Sequence, residues 1–195
     1  MTRIIAGSAR GRVLAVPRRG TRPTSDRVRE SMFSTIDAYL GRFGQEWGQI
    51  DALDLYAGTG ALGLEALSRG ANRVVLVEKD RAAASIIKGN IDTVGLPGAE
   101  IMIADATKLS GRLRNDPFDL VFVDPPYIVS AAVISEILGA GLCPAGLLEP
   151  EALVVVERPN GEGTSPFPTL WEVMQQRRHG DTMLWYGHLP GHERS

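Results

Sequence analysis

Apolar residues recur at helical spacing near the start of the chain and at strand spacing further on. Over residues 26–40 they fall on one face of a helix, at Val28, Met32, Phe33, Ile36 and Leu40. Thr24 or Ser25 can cap this helix, and Asp26 suits the positive end of its dipole. Because Gly41 and Gly44 follow, the pattern predicts a first helix that begins at Asp26 and ends near residue 41.

From residue 50 onward the two patterns alternate along the chain. We predict strands over residues 50–56, 73–78, 100–104, 120–123 and 152–157, and helices over residues 61–68, 80–94 and 130–138. The run 73–78 is almost continuously apolar, which is typical of a strand buried on both faces. Such alternation predicts a parallel sheet with helices on both of its faces.

Both ends of the chain depart from this alternation. Residues 3–7 and 12–16 form two extended pieces around a turn, which predicts a small hairpin. Two more strand-like stretches, 171–178 and 181–186, predict a terminal antiparallel hairpin. The predicted fold class is therefore α/β: a doubly wound, mostly parallel, Rossmann-like sheet with a terminal antiparallel hairpin and a small N-terminal β-hairpin extension.

Composition narrows the class of protein. The 195 residues are 44% hydrophobic and 23% charged, which favours one globular domain over a disordered chain. No apolar run approaches the ~20 residues of a membrane helix, and the first 20 residues hold no apolar stretch of signal-peptide length. Cys143 is the only cysteine, and the three histidines lack metal-ligand spacing. We expect a cytoplasmic protein without a disulfide framework or a metal site.

The formal net charge of -2 conceals an uneven distribution. Residues 1–30 contain eight arginines and two acidic residues, so this segment carries +6 and the remaining 165 residues carry −8. A basic segment on an acidic body is typical of a surface that binds a polyanion such as nucleic acid. An ordinary solvated patch has the same charges, so charge alone leaves both interpretations open.

A glycine-rich turn follows the first predicted strand of the alternating region. Gly58, Gly60 and Gly63 satisfy the pattern G-x-G-x-x-G between a strand and a helix, where glycines let a ligand approach the backbone. Glu78 ends the next strand, 24 residues after Asp54, where a carboxylate can accept hydrogen bonds from ribose hydroxyls. The combination predicts a nucleoside-bearing cofactor.

Two acidic residues distinguish the cofactors that use this turn. Asp54 precedes the glycines on the strand itself, where a carboxylate attracts an ammonium group and repels a pyrophosphate. Asp105 follows the third strand, where it could accept a hydrogen bond from an adenine amino group. Both favour S-adenosylmethionine over a dinucleotide, although each could instead be a plain helix cap.

The fourth strand ends in the tetrapeptide Asp124-Pro125-Pro126-Tyr127. Ligands of open α/β sheets bind at the carboxyl ends of strands, and this is such an end. An exocyclic amine of a base is a poor nucleophile, because its lone pair is delocalised into the ring. The Asp124 carboxylate and the Pro125 carbonyl could accept its two hydrogens and turn the lone pair toward a methyl donor. Tyr127 offers a ring for stacking an extruded base.

With these motifs, the chain resembles the class I amino-methyltransferases. Its N-terminal segments 3–7, 10–12 and 22–30 are similar to those of the RsmD family, the 16S ribosomal RNA guanine-N2 methyltransferases. The resemblance covers almost the whole chain and thins after about residue 160. It implies a basic, RNA-facing arm over residues 1–22 and a class I methyltransferase domain over residues 23–195.

The resemblance also implies an activity, a cofactor and a set of site residues. The activity is transfer of a methyl group from S-adenosylmethionine to one guanine in a loop of 16S rRNA, in an assembled or assembling small subunit. From the compact size of the chain we expect a monomer. Glu78 would hold the ribose, Asp105 the adenine and the Thr24 region the methionine end. The expected cofactor-binding residues are Thr24, Asp54, Tyr56, Gly58, Thr59, Gly60, Glu78, Lys79, Asp105 and Ala106. The expected catalytic residues are Asp124, Pro125, Pro126 and Tyr127, and the expected RNA contacts are Arg3, Arg10, Arg12, Arg18, Arg19, Arg22 and Arg27.

Three alternatives stay open at this point. A DNA adenine or cytosine amino-methyltransferase could use the same tetrapeptide, but such enzymes usually carry a separate target-recognition region that this chain has little room for. An NAD-dependent dehydrogenase would explain the glycines and Glu78. The chain, however, shows no set of His, Lys or Tyr residues suited to hydride chemistry. A non-catalytic RNA-binding module would leave the tetrapeptide unexplained.

Overall fold

The computed structural model describes residues 2–17, 24–109, 111–113 and 116–188. Three predicted RNA contacts, Arg18, Arg19 and Arg22, therefore lie outside the described residues, as does the segment 189–195. Within the described part, the helices are α1 (Asp26–Arg42), α2 (Ala61–Arg69), α3 (Arg81–Val94) and α4 (Ala131–Glu136), which continues as a π-helical turn, Ile137–Leu142.

The strands belong to two sheets. A two-stranded antiparallel sheet contains β1 (Thr2–Arg3) and β2 (Val13–Leu14). The central seven-stranded sheet contains β3 (Asp51–Asp54), β4 (Arg73–Glu78), β5 (Ala99–Ile103), β6 (Phe118–Val123), β7 (Leu148–Pro159), β8 (Glu172–His179) and β9 (Thr182–His188).

The strand order of the central sheet is β5-β4-β3-β6-β7-β9-β8. The five strands from β5 to β7 are parallel, and β9 pairs antiparallel with both β7 and β8. The predicted doubly wound α/β fold with a terminal antiparallel hairpin is thus confirmed. The chain runs outward from β3 in one direction through β4 and in the other through β6. A crevice therefore opens between the carboxyl ends of β3 and β6, where such sheets bind ligands.

The sheet is buried on both faces between two apolar clusters. Along β4, Val74 and Leu76 belong to the cluster beneath α1, α2 and α3, whereas Val75 and Val77 belong to the cluster beneath α4. Successive side chains of a strand point to opposite faces, so a strand covered on both sides is apolar throughout. This explains the continuous apolar run at residues 73–78.

Strand β7 is longer than the predicted strand 152–157 because it begins at Leu148. Phe118 pairs with Leu148 and Leu120 with Leu153, so an irregularity separates these two pairs. Glu151, within this stretch, has a left-handed φ of 64°. The added residues are partly polar and exposed, and hydrophobic periodicity does not detect a strand segment of this kind.

The N-terminal hairpin is fixed to α2. The backbone amides of Ile5 and Ala6 donate to the buried Glu65 carboxylate at 2.7 and 3.0 Å, and that of Ser8 donates to the Ser68 carbonyl at 2.8 Å. Ile4 and Leu14 are buried in the same cluster as α1 and α2. The predicted division into residues 1–22 and 23–195 stays a prediction, and the described part of the first segment packs directly on the second.

Candidate active site

A cavity of about 850 Å³ opens at the carboxyl ends of the central strands. Its wall brings together residues that are far apart in the sequence, from the glycine loop, the end of β4 and the tetrapeptide after β6. Twelve of the fourteen predicted cofactor and catalytic residues border it: Thr24, Asp54, Tyr56, Gly58, Thr59, Glu78, Lys79, Ala106, Asp124, Pro125, Pro126 and Tyr127. Gly60 and Asp105 do not border it.

The glycine loop turns the chain from β3 into α2. Gly60 has a left-handed φ of 77° at the N-cap of α2, a backbone conformation that residues other than glycine rarely adopt. At Gly63, a Cβ atom would lie 2.5 Å from Leu76 Cδ2, so the missing side chain lets α2 approach β4. Gly60 thus shapes the loop without lining the cavity.

Glu78 is held at the cavity wall by two backbone amides. Gly58 N–H donates to its Oε2 at 3.0 Å, and Asp80 N–H donates to its Oε1 at 2.8 Å. The carboxylate is therefore fixed in orientation, with lone pairs left for further donors. This is the position from which the sequence predicts contact with ribose hydroxyls.

Asp54 is fully buried beneath the glycine loop. Gly63 N–H donates to its Oδ2 at 3.1 Å, whereas Oδ1 has no hydrogen-bond partner within the described ranges. Burial, reinforced by the nearby charge of Glu78, raises the pKa of Asp54 to about 7, and the backbone donors only partly oppose this. A cationic group in the cavity would stabilise the ionised carboxylate.

Asp105 begins the short helical turn Ala106–Lys108. Its Oδ1 accepts hydrogen bonds from Thr107 N at 2.9 Å and Thr107 Oγ1 at 2.7 Å, and these bonds lower its pKa. Its neighbours Ala104 and Ala106 border the cavity. The structure gives Asp105 a capping role, and its contact with adenine stays a prediction.

The tetrapeptide leaves β6 at the edge of the cavity. Pro125 is buried, and the Pro126 carbonyl accepts from Val129 N–H at 2.9 Å, which closes a turn. Tyr127 is 56% exposed. The ring of Tyr127 is therefore accessible for stacking, while the backbone before it is fixed by packing.

Glu157 is a residue of the cavity wall that the sequence patterns did not identify. It lies near the end of β7 and is only 7% exposed. The Thr24 hydroxyl lies 2.8 Å from Glu157 Oε2 and 3.1 Å from Asp124 Oδ2. Burial, and secondly the charge of Glu157, raises the pKa of Asp124 well above its usual value. An acidic residue at the end of a buried strand is the signal that could have identified Glu157.

Arg29 is a charged residue of the wall to which the sequence patterns assigned no role in the site. This fully buried side chain on α1 donates through Nη2 to the Arg3 carbonyl at 2.6 Å and to Asp26 Oδ1 at 2.8 Å. Among the described residues, its Nε and Nη1 have no hydrogen-bond partner. Arg29 thus borders the cavity and carries two nitrogens without a partner among the described residues.

The described arginines of the predicted RNA-binding set differ in their contacts. Arg3 Nε forms an ion pair with Asp26 Oδ2 at 3.2 Å, and Arg12 Nη1 donates to the Thr93 carbonyl. Arg10 and Arg27 have exposed side chains. The structure thus leaves their role as RNA contacts a prediction.

Two further properties concern the described ranges as a whole. Within them, no group of three or more His, Cys, Asp or Glu residues is arranged to hold a metal ion. No helix in that part of the chain combines the length and apolar character needed to cross a membrane. Cys143 is half-buried and packs against the cluster beneath α4.

Comparisons with known proteins cover nearly the entire chain. Residues 2–188 match the family model of conserved hypothetical protein 95. The chain is 36% identical over 184 residues to ribosomal RNA small subunit methyltransferase D of Haemophilus influenzae, covering 91% of this chain and 89% of that protein. The protein of the same name in Escherichia coli is 36% identical over 181 residues, covering 91% of this chain and 85% of the relative.

A solved structure shares the whole architecture. The yhhF protein of Escherichia coli superposes with a TM-score of 0.80 at 31% identity, covering 98% of this chain and 99% of that chain. The similarity therefore includes the N-terminal hairpin region and the terminal hairpin as well as the central sheet.

Proposed function

The chain belongs to the RsmD family of ribosomal RNA methyltransferases, and from this premise we propose that it methylates the exocyclic N2 amine of a guanine in 16S rRNA. The methyl donor in this proposal is S-adenosylmethionine. The observation that carries it is the shared cavity: Asp124, an acceptor for an amine, borders the same space as Asp54 and Glu78.

The charged groups of the cavity fit S-adenosylmethionine. The Asp54 oxygen without a partner complements the cofactor's ammonium group, and the unpaired nitrogens of Arg29 complement its carboxylate. Glu78, fixed by two amides, would accept hydrogen bonds from the ribose hydroxyls. When bound, the cofactor supplies a methyl group on a positively charged sulfur.

The tetrapeptide would activate the amine by orientation. Asp124 and the Pro125 carbonyl accept the two N2 hydrogens, so the nitrogen lone pair turns out of the ring plane and toward the methyl group. Buried Pro125 keeps its carbonyl in place, and such fixed positioning contributes strongly to catalysis. Tyr127 stacks on the base from its exposed position.

The substrate must present an accessible guanine. N2 lies on the minor-groove edge and takes part in Watson–Crick pairing, so the target base is unpaired or flipped, as in an RNA loop. Arginines of the N-terminal segment, among them the exposed Arg10 and Arg27, would contact the phosphates beside it. We propose that a monomer acts in the cytoplasm on rRNA in an assembled or assembling small subunit.

The test is transfer of labelled methyl groups from S-adenosylmethionine to naked 16S rRNA, isolated small subunits and DNA, followed by nucleoside analysis. N2-methylguanosine in RNA is the expected product. Label confined to DNA as methylated adenine or cytosine would instead establish a DNA amino-methyltransferase. Absence of both label and cofactor binding would establish a non-catalytic protein.

A further inference from the structure

The carboxyl groups of half-buried Asp124 and buried Glu157 meet at one hydroxyl beside the proposed reaction centre. Thr24 Oγ1 lies 3.1 Å from Asp124 Oδ2 and 2.8 Å from Glu157 Oε2. On its other side, Glu157 Oε1 accepts from Thr182 Oγ1 of β9 at 3.4 Å. Glu157 is therefore held on both sides, and Thr24 is placed to bridge the two acids.

Counting protons constrains this arrangement. A hydroxyl carries one proton, so Thr24 can donate to only one of the two carboxylates. Both contacts are hydrogen bonds when one carboxyl group is protonated and donates to Thr24 Oγ1. Thr24 then donates to the other carboxylate. The geometry therefore matches a pair of acids that shares one proton.

The surroundings supply little compensation for a second negative charge. Asp54, from β3, adds a negative charge that raises the pKa of Asp124, whereas the positive charge of Arg158 lowers it. Arg158, however, is already paired with Glu162 through two hydrogen bonds of 2.8 Å. Arg29 forms an ion pair with Asp26 and, within the described residues, with neither acid of this pair. Like charges in one buried site favour retention of one proton between them.

We propose that Glu157 is a positioning residue that acts through Asp124: its charge makes Asp124 a stronger proton acceptor, and its carboxylate takes over the substrate's proton through the Thr24 hydroxyl. This inference rests on the proposed methyl transfer to an amine. It assigns Glu157 and Thr24 a task in the reaction beyond lining the cavity.

The step starts from the form in which the pair has lost its shared proton, so both carboxylates are ionised and the protons and electrons balance. The N2–CH₃ bond forms as the S–CH₃ bond breaks, and the electron pair of the latter stays on sulfur. An N2–H bond breaks and its proton binds the Asp124 carboxylate. Asp124 then passes a proton to Thr24 Oγ1 while the Thr24 proton moves to Glu157. Loss of one proton to solvent restores the starting state, so no other reactant is needed.

The pH profile of single-turnover methyl transfer tests this role. In the native enzyme, the rate rises from low pH to a plateau, and this acid limb of the profile reports loss of the shared proton from the pair of acids. Glu157→Gln removes the neighbouring negative charge, so the acid limb moves to lower pH by about one unit or more, and the plateau rate falls several-fold. Glu157→Asp retains a carboxyl group and restores the native limb in part. Glu151→Gln, the same change at an exposed position of β7, leaves the profile unchanged.

A second pair of variants examines the bridge without altering either acid. Thr24→Ser retains the hydroxyl and transfers methyl groups several-fold faster than Thr24→Val, which lacks it, and S-adenosylmethionine affinity is measured in parallel for both. An unshifted acid limb in a folded Glu157→Gln enzyme, or equal rates in the two Thr24 variants, overturns the inference while methyl transfer by the native protein stands. Absence of methyl transfer by the native protein overturns the proposed function itself.

Discussion

The backbone amide of Gly58 donates a hydrogen bond to Glu78 Oε2 at 3.0 Å, which ties the glycine loop to the end of β4. The same carboxylate accepts from Asp80 N–H, so one side chain orders two segments of the cavity wall. The proposed binding of the ribose and the shape of the loop are therefore linked through Glu78.

Glu78→Gln tests this link. An amide has only one acceptor oxygen, so it cannot accept from both backbone donors and also from ribose hydroxyls. We expect the affinity for S-adenosylmethionine to fall by about tenfold or more, equivalent to about 1.4 kcal/mol. Isothermal titration calorimetry measures the affinity, and Glu100→Gln on β5 is the exposed control. Equal affinities in the two variants would exclude a role of Glu78 in binding.

The raised pKa of Asp54 predicts a pH-dependent affinity for the cofactor. An ammonium group binds the ionised carboxylate, and with a pKa of about 7 this form becomes populated as the pH rises. The affinity should increase between about pH 5.5 and 7.5, with proton release on binding. Calorimetry in buffers of different ionisation enthalpy detects that release. Asp54→Asn should bind more weakly and without the dependence, and a native enzyme with flat affinity contradicts this role of Asp54.

The raised pKa of Asp54 also makes the stability of the fold depend on pH. The pKa of Asp54 in the folded protein lies above its unfolded value, so its stabilising contribution is present below the unfolded pKa and is lost as pH rises through about 7. Relative to the native protein, Asp54→Asn should therefore be most destabilised at acid pH. At alkaline pH the destabilisation should be smaller, or the variant should be the more stable protein. Urea unfolding at several pH values measures the free energy of unfolding of both proteins. A variant that is more stable than the native protein only at acid pH would contradict this expectation.

Tyr127 should affect substrate more than cofactor. Base stacking on an aromatic ring contributes about 1–3 kcal/mol, so Tyr127→Ala is expected to reduce kcat/KM for RNA by roughly 5- to 150-fold. Tyr127→Phe keeps the ring and should retain most of the activity. Cofactor affinity is measured in parallel and should be unchanged in both. Equal losses in the Ala and Phe variants would point to the hydroxyl rather than the ring.

The salt dependence of RNA binding tests the exposed arginines. Replacing Arg10 and Arg27 by Gln should weaken binding and reduce the slope of log K against log salt concentration by about 0.7 for each phosphate that the protein no longer neutralises. Arg177→Gln, on the outermost strand β8 of the sheet, is the control for a general change of charge. If the control flattens the slope equally, the N-terminal segment has no special role.

Sequence patterns predicted most of the fold and many of the residues that border the cavity because both depend on local signals. The glycine turn, the apolar strands and Glu78 at the end of β4 each leave a signature within a few residues. No local signal of this kind specifies the pairing of β9 with β7, since that pairing depends on which edge of the sheet the terminal hairpin joins. Glu157 was missed for a related reason: its partner Thr24 lies 133 residues away, and the sequence around it indicates only a buried strand.

The most direct test of the proposed chemistry is single-turnover methyl transfer to 16S rRNA by Asp124→Asn. Burial raises the pKa of Asp124, so a neutral amide should not destabilise the fold, and cofactor binding should persist. The amide oxygen can still accept a hydrogen bond from the amine but cannot take up its proton, so we predict that the rate falls by about 100-fold or more. A rate equal to that of the native enzyme, with the cofactor bound, would contradict the assignment of Asp124 and with it the proposed chemistry.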